Sequence, residues 1–207
     1  MKYPVRSAAV IGAVFFLGLC LGAGRGAAQM PAPGAAVAPR GADDILRIRK
    51  ILAPTKEKTP IYQTSVRTQT TGRQTDWWRV GVEFETKPDW IDELELTWYV
   101  FVEDMSNKKA PTMYSSAVTY VNVPAGRHVG DMFLHPNTIA RVGPPKFVAV
   151  EIKHRGAVLA TESTAQTPNW WTQFSPVPGV LLNRSQTPFF LIDYDSYNAI
   201  KPAAASR

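Results

Sequence analysis

The stretch DWWRVGVEFETKPDWIDELELTWYVFVED, Asp76–Asp104, decides the fold. Trp78, Val80, Val82 and Phe84 alternate with Arg79, Gly81, Glu83 and Glu85. Leu94, Leu96, Trp98, Val100 and Val102 then alternate with Glu95, Thr97, Tyr99, Phe101 and Glu103. Successive side chains of a strand point to opposite faces, so each run has one apolar face and one wet face. Lys87-Pro88-Asp89 interrupts the alternation, which reads as two strands with a break between them.

Similar runs surround this block. Residues 44–53 read as an opening strand, with a short helix as the alternative, ended by Pro54. Residues 61–70, rich in Thr, Val and Gln, read as a second extended run. Further strands are expected at 113–123, 129–134, 147–153, 158–163, 180–182 and 189–194, with Arg155-Gly156 as a hairpin turn. No long helical period appears. Short strands separated by Pro and Gly predict an all-β chain: a single antiparallel β-sandwich, immunoglobulin-like, over residues 44–200. Trp98, on an inward face, suits the buried tryptophan of that architecture.

The ends of the chain read differently. Lys2 and Arg6 precede an apolar run over residues 8–21, and Gly26-Ala27-Ala28 offers small side chains at a cleavage point. This is the layout of a signal peptide over residues 1–28, too short an apolar run for a comfortable bilayer span. The expected product is exported, to the periplasm or outer surface, without a stable membrane anchor. Residues 29–43, nearly all Ala, Pro and Gly, read as a linker, and 201–207 as a disordered tail. The single cysteine, Cys20, lies in the leader, so the exported chain is expected to hold no disulfide. Lipidation at Cys20 is the rival reading, and the bulky Leu19 before it argues against it. The chain has 23 Lys+Arg against 17 Asp+Glu, and the leader carries three of the cations and no acid. The remaining charge is mild, and nucleic acid is not an expected partner.

No motif here supplies a reaction centre. His128, His135 and His154 have no zinc-site spacing. Neither a nucleophile elbow nor a phosphate loop is present. Residues 193–198 start like a calcium loop but lack its glycine and distal glutamate. Asp89, Asp92, Glu93 and Glu95 cluster around Trp90, as carboxylates on a solvated loop commonly do. The expectation is a non-enzyme with no cofactor and no metal.

Aromatic side chains carry the remaining information. Trp77 and Trp78 are neighbours, so one sheet cannot bury both, and Trp77 falls on the outward parity with Arg79, Tyr99 and Phe101. The same conflict arises at Trp170 and Trp171. Together with Trp90 these seven residues are the candidate partner-binding set. Two outcomes are open: residues 167–188 cover them, or they form a bare patch for a protein or a sugar.

The block Asp76–Asp104 and the end NWWTQFSPVPGVLLNRSQTPFFLIDYDSYNAIKP (residues 169–202) resemble small exported proteins of mucin-degrading, Akkermansia-like Verrucomicrobia. Those proteins are encoded beside type IV pilus assembly genes. The resemblance implies an immunoglobulin-like sandwich that supports the pilus through contacts with pilus or envelope machinery, and it supplies no catalytic residues. A prepilin-type cleavage site before a long apolar helix is missing, so polymerisation as a pilin is not expected. The alternative function is a carbohydrate-binding module, with Trp77, Trp90, Trp170 or Trp171 stacked on a glycan.

Overall fold

The computed structural model describes residues 45–61 and 74–202. The expected leader, the linker and most of the extended run over 61–70 lie outside the described residues. Seven strands form β1 (Leu46–Lys58), β2 (Asp76–Asp104), β3 (Ala110–Leu134), β4 (Pro145–His154), β5 (Ala157–Ser163), β6 (Pro176–Pro178) and β7 (Leu181–Asn183), with one short helix, α1 (Pro136–Val142). The all-β expectation holds. The hydrogen bonding, however, makes one sheet in the order β5-β4-β2-β3-β6, with β1 added on β2 and β7 on β3.

The two strands expected in the deciding stretch are one strand of 29 residues. Lys87-Pro88-Asp89 bends it instead of ending it, at a register shift between Thr86 and Trp90. Likewise the runs 113–123 and 129–134 fuse into β3, which pairs with β2 along its whole length. The first half of β2 pairs with β1 and the far half of β3; its second half pairs with β4 and the near half of β3. A bent hairpin therefore supplies both layers. Val80, Val82, Phe84 and Leu134 from one half share a core with Leu96, Trp98, Val100 and Val150 from the other. Gly130 shows how close the layers come: a Cβ there would lie 2.6 Å from Leu96 Cδ2.

Residue chemistry explains the bend. Pro88 and Pro124 have no N–H to give to the ladder, and Gly126 takes φ 128°, which a side chain would resist. Thr86 is buried, and its hydroxyl donates to the Pro124 carbonyl at 2.6 Å. His128 Nε2 lies 2.9 Å from the same carbonyl. The unpaired backbone of the corner is thus satisfied by side chains.

Three local expectations change. β1 does not stop at Pro54 but runs to Lys58, because Pro54 falls at an irregularity between Leu52 and Thr55 on an outer strand, where no ladder N–H is needed. The antiparallel expectation fails at β6, which runs parallel to β3 at residues 113–115. Residues 189–194 are not a strand. Pro188–Leu191 and Tyr194–Ser196 are 3-10 turns, the first started by the Thr187 side chain accepting from Phe189 N–H, and Asp193 between them has φ 51°.

The segment after β5 seals the outer edge of β3 in three places. β6 takes residues 113–115, β7 takes 132–134, and in between Val121 N–H donates to Ala199 while Lys201 N–H donates to Thr119. An uncovered edge of this length would invite pairing with other chains.

Candidate interaction surfaces

The outward aromatic residues fall into two groups, both reached by the segment that follows β5. In the first, the 3-10 turn Trp170–Gln173 lays two tryptophans on the outer face of β2 and β4. Trp171 stacks on Tyr99 with centroids 5.8 Å apart, and its indole N–H donates to Glu151 Oε1 at 3.1 Å. Trp170 meets Phe101 edge-on, and its N–H donates to Ser163 Oγ at 2.8 Å. Each indole buries its ring and keeps its polar atom paired. The Tyr99 hydroxyl donates to Glu151 Oε2 at 3.3 Å; burial, then the Glu151 charge, push its pKa up to about 12.

In the second group, Trp77 packs edge-on against Phe189, which stacks on Phe133 at 4.8 Å. The Trp77 N–H donates to Thr59 Oγ1. Beside it lies a charged hub. Asp131, 4% exposed, accepts from Arg184 Nε at 3.3 Å and pairs again with the Arg184 terminal nitrogen. Arg79 joins the hub with Nε 3.1 Å from Asp131 Oδ2, a charge contact whose angle falls short of a hydrogen bond, and it donates to Glu57 at 2.9 Å. Burial works against the Arg184 charge, but the Asp131 hydrogen bond and charge outweigh it and raise its pKa. The guanidinium also sits 4.9 Å over the Tyr197 ring and 5.6 Å over Phe133. Arg184 therefore bolts the last segment to β3.

Of the seven candidate residues, then, the structure gathers Tyr99, Phe101, Trp170 and Trp171 into one covered cluster. Trp77 lies in another beside Arg79, and Trp90 stands apart. Trp77 and Tyr99 do not meet, because they lie in opposite halves of β2 and so in different layers. Trp90 is 65% exposed, while the other five tryptophans are buried or half-buried. It projects from the bend, opposite Pro124, with Ile91 buried next to it. Asp89 and Asp92 flank it on the chain, Asp92 lying 3.6 Å from the exposed Arg155.

Two clefts accompany these surfaces. One of about 400 Å³ lies next to the bend, between Arg49, Glu83, Arg127, His128 and Val129. Another of about 500 Å³ is lined by Asn183, Gln186, Phe190, Tyr194, Tyr197 and neighbours. Sequence reasoning did not find the second: the run 189–194, expected as a strand, forms 3-10 turns that hold Phe190 and Tyr194, and Tyr197 follows the second of them. Phe190 and Tyr194 meet edge-on at 5.3 Å, and Tyr197 donates to the Phe190 carbonyl.

The titratable residues have local duties. His135 caps α1 by accepting from Asn137 N–H, His154 Nδ1 lies 2.9 Å from the Glu93 carbonyl, and His128 braces the bend. Glu93 pairs with Lys201 and Glu95 with Lys153. Ser106 hydrogen bonds hold the Asp104 carboxyl below its ordinary pKa where it caps the turn Met105–Asn107. Among the described residues no group of three His, Cys, Asp or Glu could hold a metal ion, and no helix is long and apolar enough to cross a membrane.

Comparison with known proteins places this architecture. A crystal structure of a protein from Akkermansia muciniphila matches with a TM-score of 0.68 and 24% identity, covering 77% of this chain and 94% of that one. At that identity the likeness is one of fold. No curated protein matches the chain. One protein-family model matches residues 45–204, from the start of β1 to just past the last contact with β3. That span takes in every strand described above, and the chain therefore belongs to the family which this model defines.

Proposed function

We propose that the chain is an exported, non-enzymatic interaction module that supports type IV pilus assembly or a related envelope machine through protein contacts. One observation carries this reading. The fold covers its other outward tryptophans and leaves Trp90 bare on a braced bend. A large rigid ring held out by a fixed backbone suits contact with a partner, since little freedom is lost on binding. The likeness of Asp76–Asp104 and residues 169–202 to proteins encoded beside pilus genes supplies the pilus context. We read the bent hairpin and its two layers as a variant of the immunoglobulin-like sandwich in which one hairpin feeds both layers.

Docking on a surface is favoured over edge-strand pairing. The β3 edge is sealed, and the two remaining outer strands, β1 and β5, run close to each other. The carbohydrate reading keeps Trp90 alone among its four tryptophans, because the other three are buried. Affinity capture from an envelope extract tests the proposal. Pilus assembly proteins should be retained by the native chain and lost with Trp90→Ala. Equal capture by both, or binding to a glycan array that Trp90→Ala abolishes, would refute it.

A further inference from the structure

We infer that the bend and the cleft beside it form a self-complementary patch through which two copies of this chain pair, the Trp90 ring of each entering the cleft between Arg49 and Arg127 of the other. Four observations lead there. The ring is exposed, and Pro124, which faces Trp90 across the ladder, has its carbonyl held by Thr86 and His128, so the bend that carries the projecting group is preorganised. The cleft, about 400 Å³, offers an apolar wall at Val129, which is 39% exposed, and two guanidinium groups that suit the face of an indole.

Charge is the third. Asp89 and Asp92 flank Trp90, and Arg49 and Arg127 flank the cleft beside Glu83. Arg49 is paired with Glu85 at 2.5 Å and Asp92 with Arg155 at 3.6 Å, while Arg127 has no acidic partner among the described residues and is the cation left to meet Asp89 of a second copy. Placement is the fourth. His128 lines the cleft and contacts the carbonyl of Pro124, the residue that faces Trp90 across the ladder. Projection and recess thus belong to one continuous surface. A surface holding both halves of a contact can meet its own copy about a two-fold axis, and the pair then closes. Two rings are buried per contact, each with opposite charges at its rim. The pairing uses the same Trp90 ring as the envelope contact, so one ring serves either a second copy or an envelope partner at a time; a failed envelope capture would still leave the self-pairing untouched.

Sedimentation of the purified chain over a wide concentration range tests it. A monomer–dimer equilibrium is expected, weakening as salt screens the rim charges. Trp90→Ala and Arg127→Glu should each weaken the dimer by about tenfold or more, because both remove central groups of the contact. Both side chains are outside the core, so circular dichroism of the variants should match the parent. Joining Arg127→Glu with Asp89→Arg alone should restore much of the dimer, since one pair of opposite charges is then exchanged and not lost. A monomer at every concentration, open-ended oligomers, or a dimer indifferent to both single variants would each overturn the inference.

Discussion

Trp90 and the Trp170-Trp171 pair start from the same sequence circumstance and end in opposite ones. All are large aromatic residues set among polar neighbours. Trp170 and Trp171 lie 5% exposed in a cluster with Tyr99 and Phe101, each indole nitrogen paired; Trp90 lies 65% exposed. The difference is reach. The segment after β5 crosses the outer face of β2 and β4, then returns along β3, and each aromatic residue it meets becomes part of a small outer core. Among the described residues its last contact is at Lys201, which pairs with Glu93 and does not reach Trp90. The comparison shows that an outward aromatic signals function only after the chain's own coverage has been subtracted.

The sharpest way to break this contrast is at the covered end. Replacing Trp170 by Ala removes a buried ring and leaves the Ser163 hydroxyl with Ala165 N–H as its remaining donor. A loss of about 3 kcal/mol is expected in urea unfolding. Arg184→Ala strips Asp131 of its main partner and unbolts the last segment. Breaking a buried pair costs about 3–5 kcal/mol, and Arg79 beside Asp131 should hold the loss near the lower bound. If either change leaves stability untouched, the last segment is not part of the fold's stability.

A second prediction concerns the layers themselves. Gly130→Ala would force its methyl group onto Leu96, a side-chain atom 2.6 Å away. Overpacking of this kind costs about 1–3 kcal/mol, read as a lowered urea midpoint. An unchanged midpoint would mean that the two halves of the hairpin pack less tightly than described.

Alkaline pH gives a smaller effect. The folded pKa of Tyr99, about 12, stands above its ordinary 10.0, so the fold favours the neutral phenol. That preference contributes fully below the ordinary value and is lost as pH rises through the folded one. The cover over Tyr99 should therefore weaken between pH 10.0 and about 12. Tyr99→Phe cannot ionise and should remove that part of the alkaline transition, at a cost of about 1 kcal/mol for the lost hydrogen bond at neutral pH. Tyrosinate absorbance and Trp fluorescence followed together check it.

The least effect is expected at the bare end. Trp90→Ala should change stability by no more than about 0.5 kcal/mol, since its ring is 65% exposed. A larger loss would show that Trp90 is structural and would erase the contrast with Trp170.

Much of the fold was legible in residue order, for a local reason. Alternation at Val80, Val82 and Phe84, and again from Leu94 to Val102, assigns inward and outward faces wherever strands occur, and those residues are buried as expected. Parity also placed Trp77 and Tyr99 on outward faces. Where the residues are proline or lie in turns, the pattern is silent. Lys87-Pro88-Asp89 reads equally as an end or a bend, and only pairing with Pro124 and Gly126 distinguishes them. The run 189–194 reads as a strand but forms 3-10 turns, so strand parity misplaces Phe190 and Tyr194 and their cleft was invisible.

Residue order by itself thus determined that the chain is β-rich and which side chains face inward. Tertiary structure alone decided that one hairpin feeds both layers, that β6 runs parallel to β3, and which outward rings are covered. The physical reason is range. Side-chain alternation is set by neighbouring peptide units, whereas coverage depends on where a segment tens of residues away comes to rest, and that is a property of the packed chain.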